Sequence, residues 1–316
     1  MEDFAQRPGI YRGFSATGIL DQLSFPENPL PSTSASVMRL SRDGHLDQRE
    51  VAEECAVALV YDGTTAAVLM ATPADLPDLA IGFSLTEGII QSASEIEGLE
   101  VVPGRDGIEL RMWLTPDSGR QFKKRQRRLT GPTGCGLCGV ESLTEAVRPS
   151  PRLRRAVILS PSEIEQAVTA LASSQSLNQK TRATHAAGFY SPREGLVAVR
   201  EDVGRHNALD KLAGGLAVQN VPGGTGAIIL TSRVSIEMVQ KTAVIGSPIL
   251  VAISAPTALA VRTAETCGIT LVGIARGPAF EIFTHPSGID RDGDDRIENG
   301  LTEASPPTPS ARDKHG

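Results

Sequence analysis

Apolar residues in the last third of the chain fall into short runs bounded by turn residues, and these runs alternate with segments of helical length. Residues 227–230, 249–253 and 270–274 read as buried strands, with helices between them that end near Val244 and Cys267. This βαβαβ pattern predicts a parallel sheet with right-handed crossovers. Open parallel sheets bind ligands beyond the carboxyl ends of their strands, which here are Thr231-Ser232-Arg233, Ser254-Ala255-Pro256-Thr257 and Ala275-Arg276-Gly277. Their hydroxyls, guanidinium groups and, at two of the three, a following helix N-terminus suit an anion such as phosphate.

The earlier half has a different rhythm. Strand-like runs at 55–61 and 66–71 flank the turn Asp62-Gly63. A helix opens between Pro73 and Pro77 and runs to Ile90, and two more strands follow at 98–102 and 108–114. This half predicts a small α+β unit. Helical spacing returns at 140–147 and 161–173, the latter with Ser160 or Ser162 as cap. The ends lack any sustained period: Pro26, Pro29 and Pro31 mark the lead, and an Asp/Gly run and a Pro/Ser segment mark the chain beyond Ser287. The expected organisation is a flexible lead at 1–45, an α+β subdomain at 46–130, an α/β domain at 131–286 and a disordered tail at 287–316.

Composition narrows the class. The 316 residues are 40% hydrophobic with a net charge of -6, an ordinary globular balance that argues against a broad nucleic-acid surface. No run approaches the length of a membrane span, and Met1-Glu2-Asp3-Phe4 lacks the order of a secretory signal, so a cytoplasmic protein is expected, with no membrane or nucleic-acid partner. Four cysteines do not make a disulfide scaffold in such a chain. Cys55 and Cys267 sit in apolar segments and read as core residues.

Cys135 and Cys138 differ. They lie in Thr133-Gly134-Cys135-Gly136-Leu137-Cys138-Gly139, downstream of the cations Lys123, Lys124, Arg125, Arg127 and Arg128. Glycines leave the sulfur unshielded, and nearby positive charge favours thiolate, the nucleophilic form. A zinc site would need a second ligand pair that the chain lacks, so no metal is expected. A dithiol oxidoreductase normally sets its C-x-x-C at a helix start rather than in a glycine loop. A persulfide carrier, whose thiolate must visit two partners, fits the setting best. The cation run is also readable as a solvated face. Residues 201–211 crowd charge after a strand-like 196–199 and read mostly as a surface loop and helix start, with Arg205, His206 and Asn207 able to donate to phosphate. Thr184-His185-Ala186-Ala187 places Ala187 where a zinc deaminase would carry its glutamate, which argues against deamination.

Together these segments, with Ala71-Thr72-Pro73, Gly82-Phe83-Ser84 and Thr284-His285-Pro286, closely resemble the formate dehydrogenase accessory sulfurtransferase family (FdhD). The resemblance implies a dimeric protein with a cytidine-deaminase-like α/β domain. It also implies an activity: taking sulfur as a persulfide from a cysteine desulfurase and passing it to the molybdenum or tungsten bis(guanine dinucleotide) cofactor before that cofactor enters the formate dehydrogenase apoenzyme. Carried onto this chain, Cys135 bears the persulfide and Cys138 accompanies it, as relay or as resolving thiol. Ile274-Ala275-Arg276-Gly277-Pro278-Ala279 form the cofactor site, with the phosphates held by Thr231, Ser232, Arg233 and Arg276, and His206 a further candidate. Ile274 departs from the aromatic residue that family members often carry there. Two other readings remain, a cofactor-binding chaperone without sulfur chemistry and a dithiol–disulfide oxidoreductase.

Overall fold

Two sheets organise the chain in the computed structural model, which describes residues 23–24, 30–129, 150–154 and 156–290. Strands β1 (Leu23–Ser24), β4 (Cys55–Tyr61), β5 (Thr64–Ala71), β6 (Ile96–Pro103) and β7 (Ile108–Leu114) form the first sheet, in the order β1-β6-β7-β4-β5. Asp62 and Gly63 both take positive φ, at 47° and 79°, the left-handed pair that a tight β4–β5 turn requires. Alternation then sends Val57, Leu59, Tyr61, Leu110 and Met112 to one face, where they bury against helix α1 (Leu76–Thr86). The sequence expects this helix to reach Ile90. It stops sooner because Gly88 turns left-handed at φ 67°. Helix α2 (Pro116–Leu129) follows β7, and its Phe122 packs on Tyr61 with ring centroids 5.0 Å apart.

The second sheet carries β8 (His185–Ser191), β9 (Gly195–Asp202), β10 (Ala227–Leu230), β11 (Ile249–Ala252), β12 (Thr270–Arg276) and β13 (Ala279–Thr284), in the order β13-β12-β11-β10-β8-β9. β10, β11 and β12 run parallel, as the βαβαβ pattern predicts, and β8 pairs antiparallel to β10. Helices cover both faces, so the strands are apolar throughout. Ile228 and Leu230 meet α5 (Arg205–Val218), α6 (Ile236–Ile245) and α7 (Ala258–Cys267), while Ala227 and Ile229 meet α3 (Pro161–Ser174), which the short α4 (Ser176–Thr181) follows. Ser160 opens α3 with a capping box: its hydroxyl accepts from the Glu163 N–H at 3.2 Å, and the Glu163 carboxylate accepts from the Ser160 N–H at 2.7 Å. The mixed α/β class expected from the sequence is the one observed.

Helix α1 joins the two sheets by lying against α5. A Cβ on Gly82 would collide with the Asp210 carbonyl, and one on Gly214 with the Asp78 carbonyl, so the backbones touch. Covered by α1 on one side and the sheet on the other, α5 is buried from Asn207 to Leu216. The surface reading of 201–211 therefore needs correction: Asp202, Asp210 and Lys211 are at most 1% exposed. Each is paired, as buried charge must be. Lys211 meets Asp202 at 2.6 Å, Lys241 meets Asp210 at 2.7 Å and Thr86 at 2.9 Å, and Arg200 of β9 meets Asp78 of α1 at 2.6 Å.

Two expectations about the ends also change. Residues 30–45 contain β2 (Ser34–Leu40), paired in full register with β3 (Leu46–Ala52). Most of this ribbon is exposed on both faces, so it lacks the one-sided alternation that marks a strand in sequence. Beyond Ser287, Gly288 lies beneath Thr270, and Ile289 bridges Leu159 at 4% exposure, which places these residues inside the fold. The helix read at 140–147, the lead before Leu23 and the tail beyond Asp290 lie outside the described residues. No helix among the described residues is long and apolar enough to cross a membrane.

Candidate functional site

The carboxyl ends of β10, β11 and β12 open onto one rim. Because β8 runs the other way, its first residue, His185, joins that rim beside the end of β10; because β9 runs back again, so do Asp202 and the start of α5. Neighbouring strands lie about 4.8 Å apart, so the row from β12 to β9 extends about 19 Å. That is room for an elongated ligand.

At the β10 end, Thr231 continues the sheet. Its N–H donates to the Ala186 carbonyl at 3.1 Å, and its hydroxyl accepts from the Ala186 N–H at 2.8 Å. The buried Ser232 hydroxyl donates to the Arg233 carbonyl at 3.0 Å. Both hydroxyls expected to serve a ligand thus hold the strand end in shape, and the Arg233 side chain is the exposed group. At the β11 end, Thr257 caps α7, its hydroxyl accepting from the Ala260 N–H at 3.2 Å. The Val234 and Thr257 amides lace the two loops together through the Ala255 and Val234 carbonyls.

The expected cofactor segment 274–279 is the turn that joins β12 to β13. Ala275 is buried, whereas Arg276, Gly277, Pro278 and Ala279 are exposed. Ile274 has φ 54° at an interruption of the β12–β13 register, an uncommon conformation for a β-branched residue and one that costs on the order of 1–2 kcal/mol. Its amide donates to the Ser254 carbonyl at 3.3 Å, which fastens the strained turn to the β11 end. Bulges and strain of this kind gather beside functional sites, where they re-aim the following side chains. Two residues on is the exposed Arg276.

At the other end of the row, Gly204 begins α5 and Arg205 and His206 form its first turn. Burial pushes the His206 pKa down, and the Arg205 and Lys241 cations push it further against Glu237 and Glu87. His185 moves the same way, by burial and then by Arg205, with Asp202 opposing. Both imidazoles are therefore neutral near pH 7, able to donate through one nitrogen and accept through the other. Arg205, Arg233 and Arg276 distribute positive charge along the rim. Asn207 is not part of the donor set, because its amide is committed to the Met70 carbonyl at 2.8 Å and to Asp202 at 3.0 Å. Asp202 was invisible as a site residue in the sequence, where it is one carboxylate in a charged stretch.

Cys135 and Cys138 lie outside the described residues, between the end of α2 and Ser150. Of the upstream cations, Lys123 and Lys124 stand exposed on α2. Cys55 is half-buried and Cys267 buried, and burial raises both thiol pKa values, which makes each a poor thiolate. Among the described residues no group of three His, Cys, Asp or Glu side chains is placed to hold a metal ion.

Comparison with known proteins agrees over the same span. The model of the FdhD/NarQ family matches residues 52–290. A protein of Agrobacterium fabrum called sulfur carrier protein FdhD is 52% identical over 260 residues, covering 80% of this chain and 96% of its own. A relative of the same name from Cupriavidus necator is 46% identical, covering 82% and 90%. A crystal structure from Desulfotalea psychrophila, described as a formate dehydrogenase accessory protein, superposes with a TM-score of 0.63 at 25% identity, covering 83% of this chain and all of that one. The family match takes in every strand of the rim and all of the first sheet but β1, and on that evidence the chain belongs to the FdhD/NarQ family.

Proposed function

We propose that this protein is a sulfurtransferase for formate dehydrogenase maturation: Cys135 accepts sulfur as a persulfide from a cysteine desulfurase and delivers it to a molybdenum or tungsten bis(guanine dinucleotide) cofactor. The single observation that carries this reading is the rim, where Arg205, Arg233 and Arg276 stand with His185 and His206 along the strand ends of the second sheet. Guanidinium groups bind phosphate oxygens in pairs, so three of them along one rim suit a diphosphate. The relatives' name, sulfur carrier, supports the sulfur half of the reading.

Loading is thiol exchange. The Cys135 thiolate attacks the outer sulfur of the donor persulfide; the new S–S bond forms as the old one breaks, and the donor cysteine departs as its thiolate. No external oxidant or reductant is consumed. The rim's part is positional. Holding the nucleotide phosphates fixes the cofactor while the sulfur-bearing chain approaches, which converts a bimolecular encounter into an intramolecular one.

Complementation tests the whole reading. In a strain lacking its own sulfur carrier, the wild-type chain restores formate dehydrogenase activity and Cys135→Ala does not. Restoration by Cys135→Ala would favour a cofactor chaperone that needs no sulfur chemistry.

A further inference from the structure

We infer that Thr72, on the chain leaving the first sheet, is a positioning residue for the nucleotide rim of the second, acting through the Asp202 carboxylate and the turn before His206. This rests on the proposed binding of a guanine nucleotide at the rim.

The geometry is a closed bracket. Asp202 is fully buried and its carboxylate accepts four donors: the Gly204 N–H at 2.7 Å and the Asn207 amide at 3.0 Å on Oδ1, the Thr72 N–H at 3.0 Å and Lys211 Nζ at 2.6 Å on Oδ2. Thr72, also fully buried, engages every polar group it has. Its N–H goes to Asp202, its carbonyl accepts from Lys211 Nζ at 2.9 Å, and its hydroxyl accepts from the Val203 N–H at 3.1 Å. Asn207 adds a tie to the Met70 carbonyl at 2.8 Å. Two successive amides of the rim turn, at Val203 and Gly204, are therefore held by side chains, one from each half of the protein.

Such an arrangement is a poor source of stability. Two buried ions lose hydration that their attraction only partly returns, and apolar side chains of the same volume would often serve as well. What the bracket does determine is direction, because fixing the Val203 and Gly204 amides fixes the backbone that carries Arg205 and His206. Gly204 fits this tightly: a Cβ there would lie 2.9 Å from Asn207 Nδ2 and 3.4 Å from Asp202 Oδ1. The first half of the chain thereby takes part in a site whose ligand-facing residues all come from the second.

Thr72→Val isolates the effect, since it removes only the hydroxyl and leaves both backbone bonds in place. With GDP as probe and calorimetry as readout, the variant should bind about fivefold more weakly, the scale of one hydrogen bond. In an Arg205→Ala, His206→Ala background the same change should alter the dissociation constant less than about twofold, because both residues it positions are gone. A general loss of structure would instead weaken both backgrounds equally, and that additive result would overturn the proposal. Should Thr72→Val fail to fold, Gly204→Ala presses on the same turn through the hydrogen-bonded amide of Asn207 and should give the same loss and the same non-additivity. Unweakened binding by the folded Thr72→Val protein, alongside clear weakening by His206→Ala, overturns the positioning role alone. Wild-type protein that does not bind GDP, or His206→Ala that binds as tightly as wild type, overturns the rim reading and this inference with it.

Discussion

His206 shows how much a single side chain can owe to its surroundings. In the sequence it is a histidine among charges; in the fold it is partly buried beside Arg205 and Lys241, which favour the neutral ring. Its folded pKa lies below the ordinary value of 6.5. As pH falls, the unfolded chain takes up the proton first, so stability from this group is complete above about 6.5 and is lost as pH drops through the folded value. Urea unfolding at about pH 7.5 and 5.5 should thus show wild type losing more stability than His206→Gln over that interval, and identical losses would remove His206 from the titrating groups. Arg276 was legible as a candidate because it follows a strand end. The left-handed turn at Ile274 that aims it was not, since nothing in an apolar run announces a positive φ.

Elements whose apolar pattern matches their burial were read closely. Strand β10 was expected at 227–230 and is found there, and α3 begins at Pro161 behind its Ser160 cap. Helix α5 shows where such reading fails. Its Asp210 and Lys211 look like surface residues, yet Lys241 and Thr86 satisfy the first in the interior and Asp202 and Thr72 the second, and of these partners all but Asp202 are distant in sequence. The α1–α5 crossing was hidden for the same reason, because a glycine in a helix does not say which backbone it admits. Gly82→Ala puts a methyl group into the Asp210 carbonyl, and overpacking at rigid backbone costs about 3 kcal/mol. Denaturant titration should show a destabilisation of that size; wild-type stability in Gly82→Ala would mean the helices can move apart freely.

At the scale of the molecule, the contact between the two halves is glycine packing framed by buried charge. Arg200–Asp78 spans it directly, while Thr72 and Thr86 reach across to the Lys211–Asp202 and Lys241–Asp210 pairs. This seam passes beneath the rim at Asp202, so the first half of the chain supports a site it does not itself display. The α/β class and the parallel strand ends were legible in the sequence because periodicity and turn residues encode them locally. The seam was not, because it exists only once two distant segments meet. Cys135 and Cys138, which their glycine spacing marks as the expected reactive pair, lie outside the described residues.

The account turns on one atom of sulfur, and intact-protein mass spectrometry reads it directly. After incubation with cysteine and a cysteine desulfurase, wild-type protein should gain the mass of one sulfur, reversibly with a thiol reductant, while Cys135→Ala should gain none. A Cys135→Ala protein that still takes up sulfur, or a wild type that never does, would contradict the account.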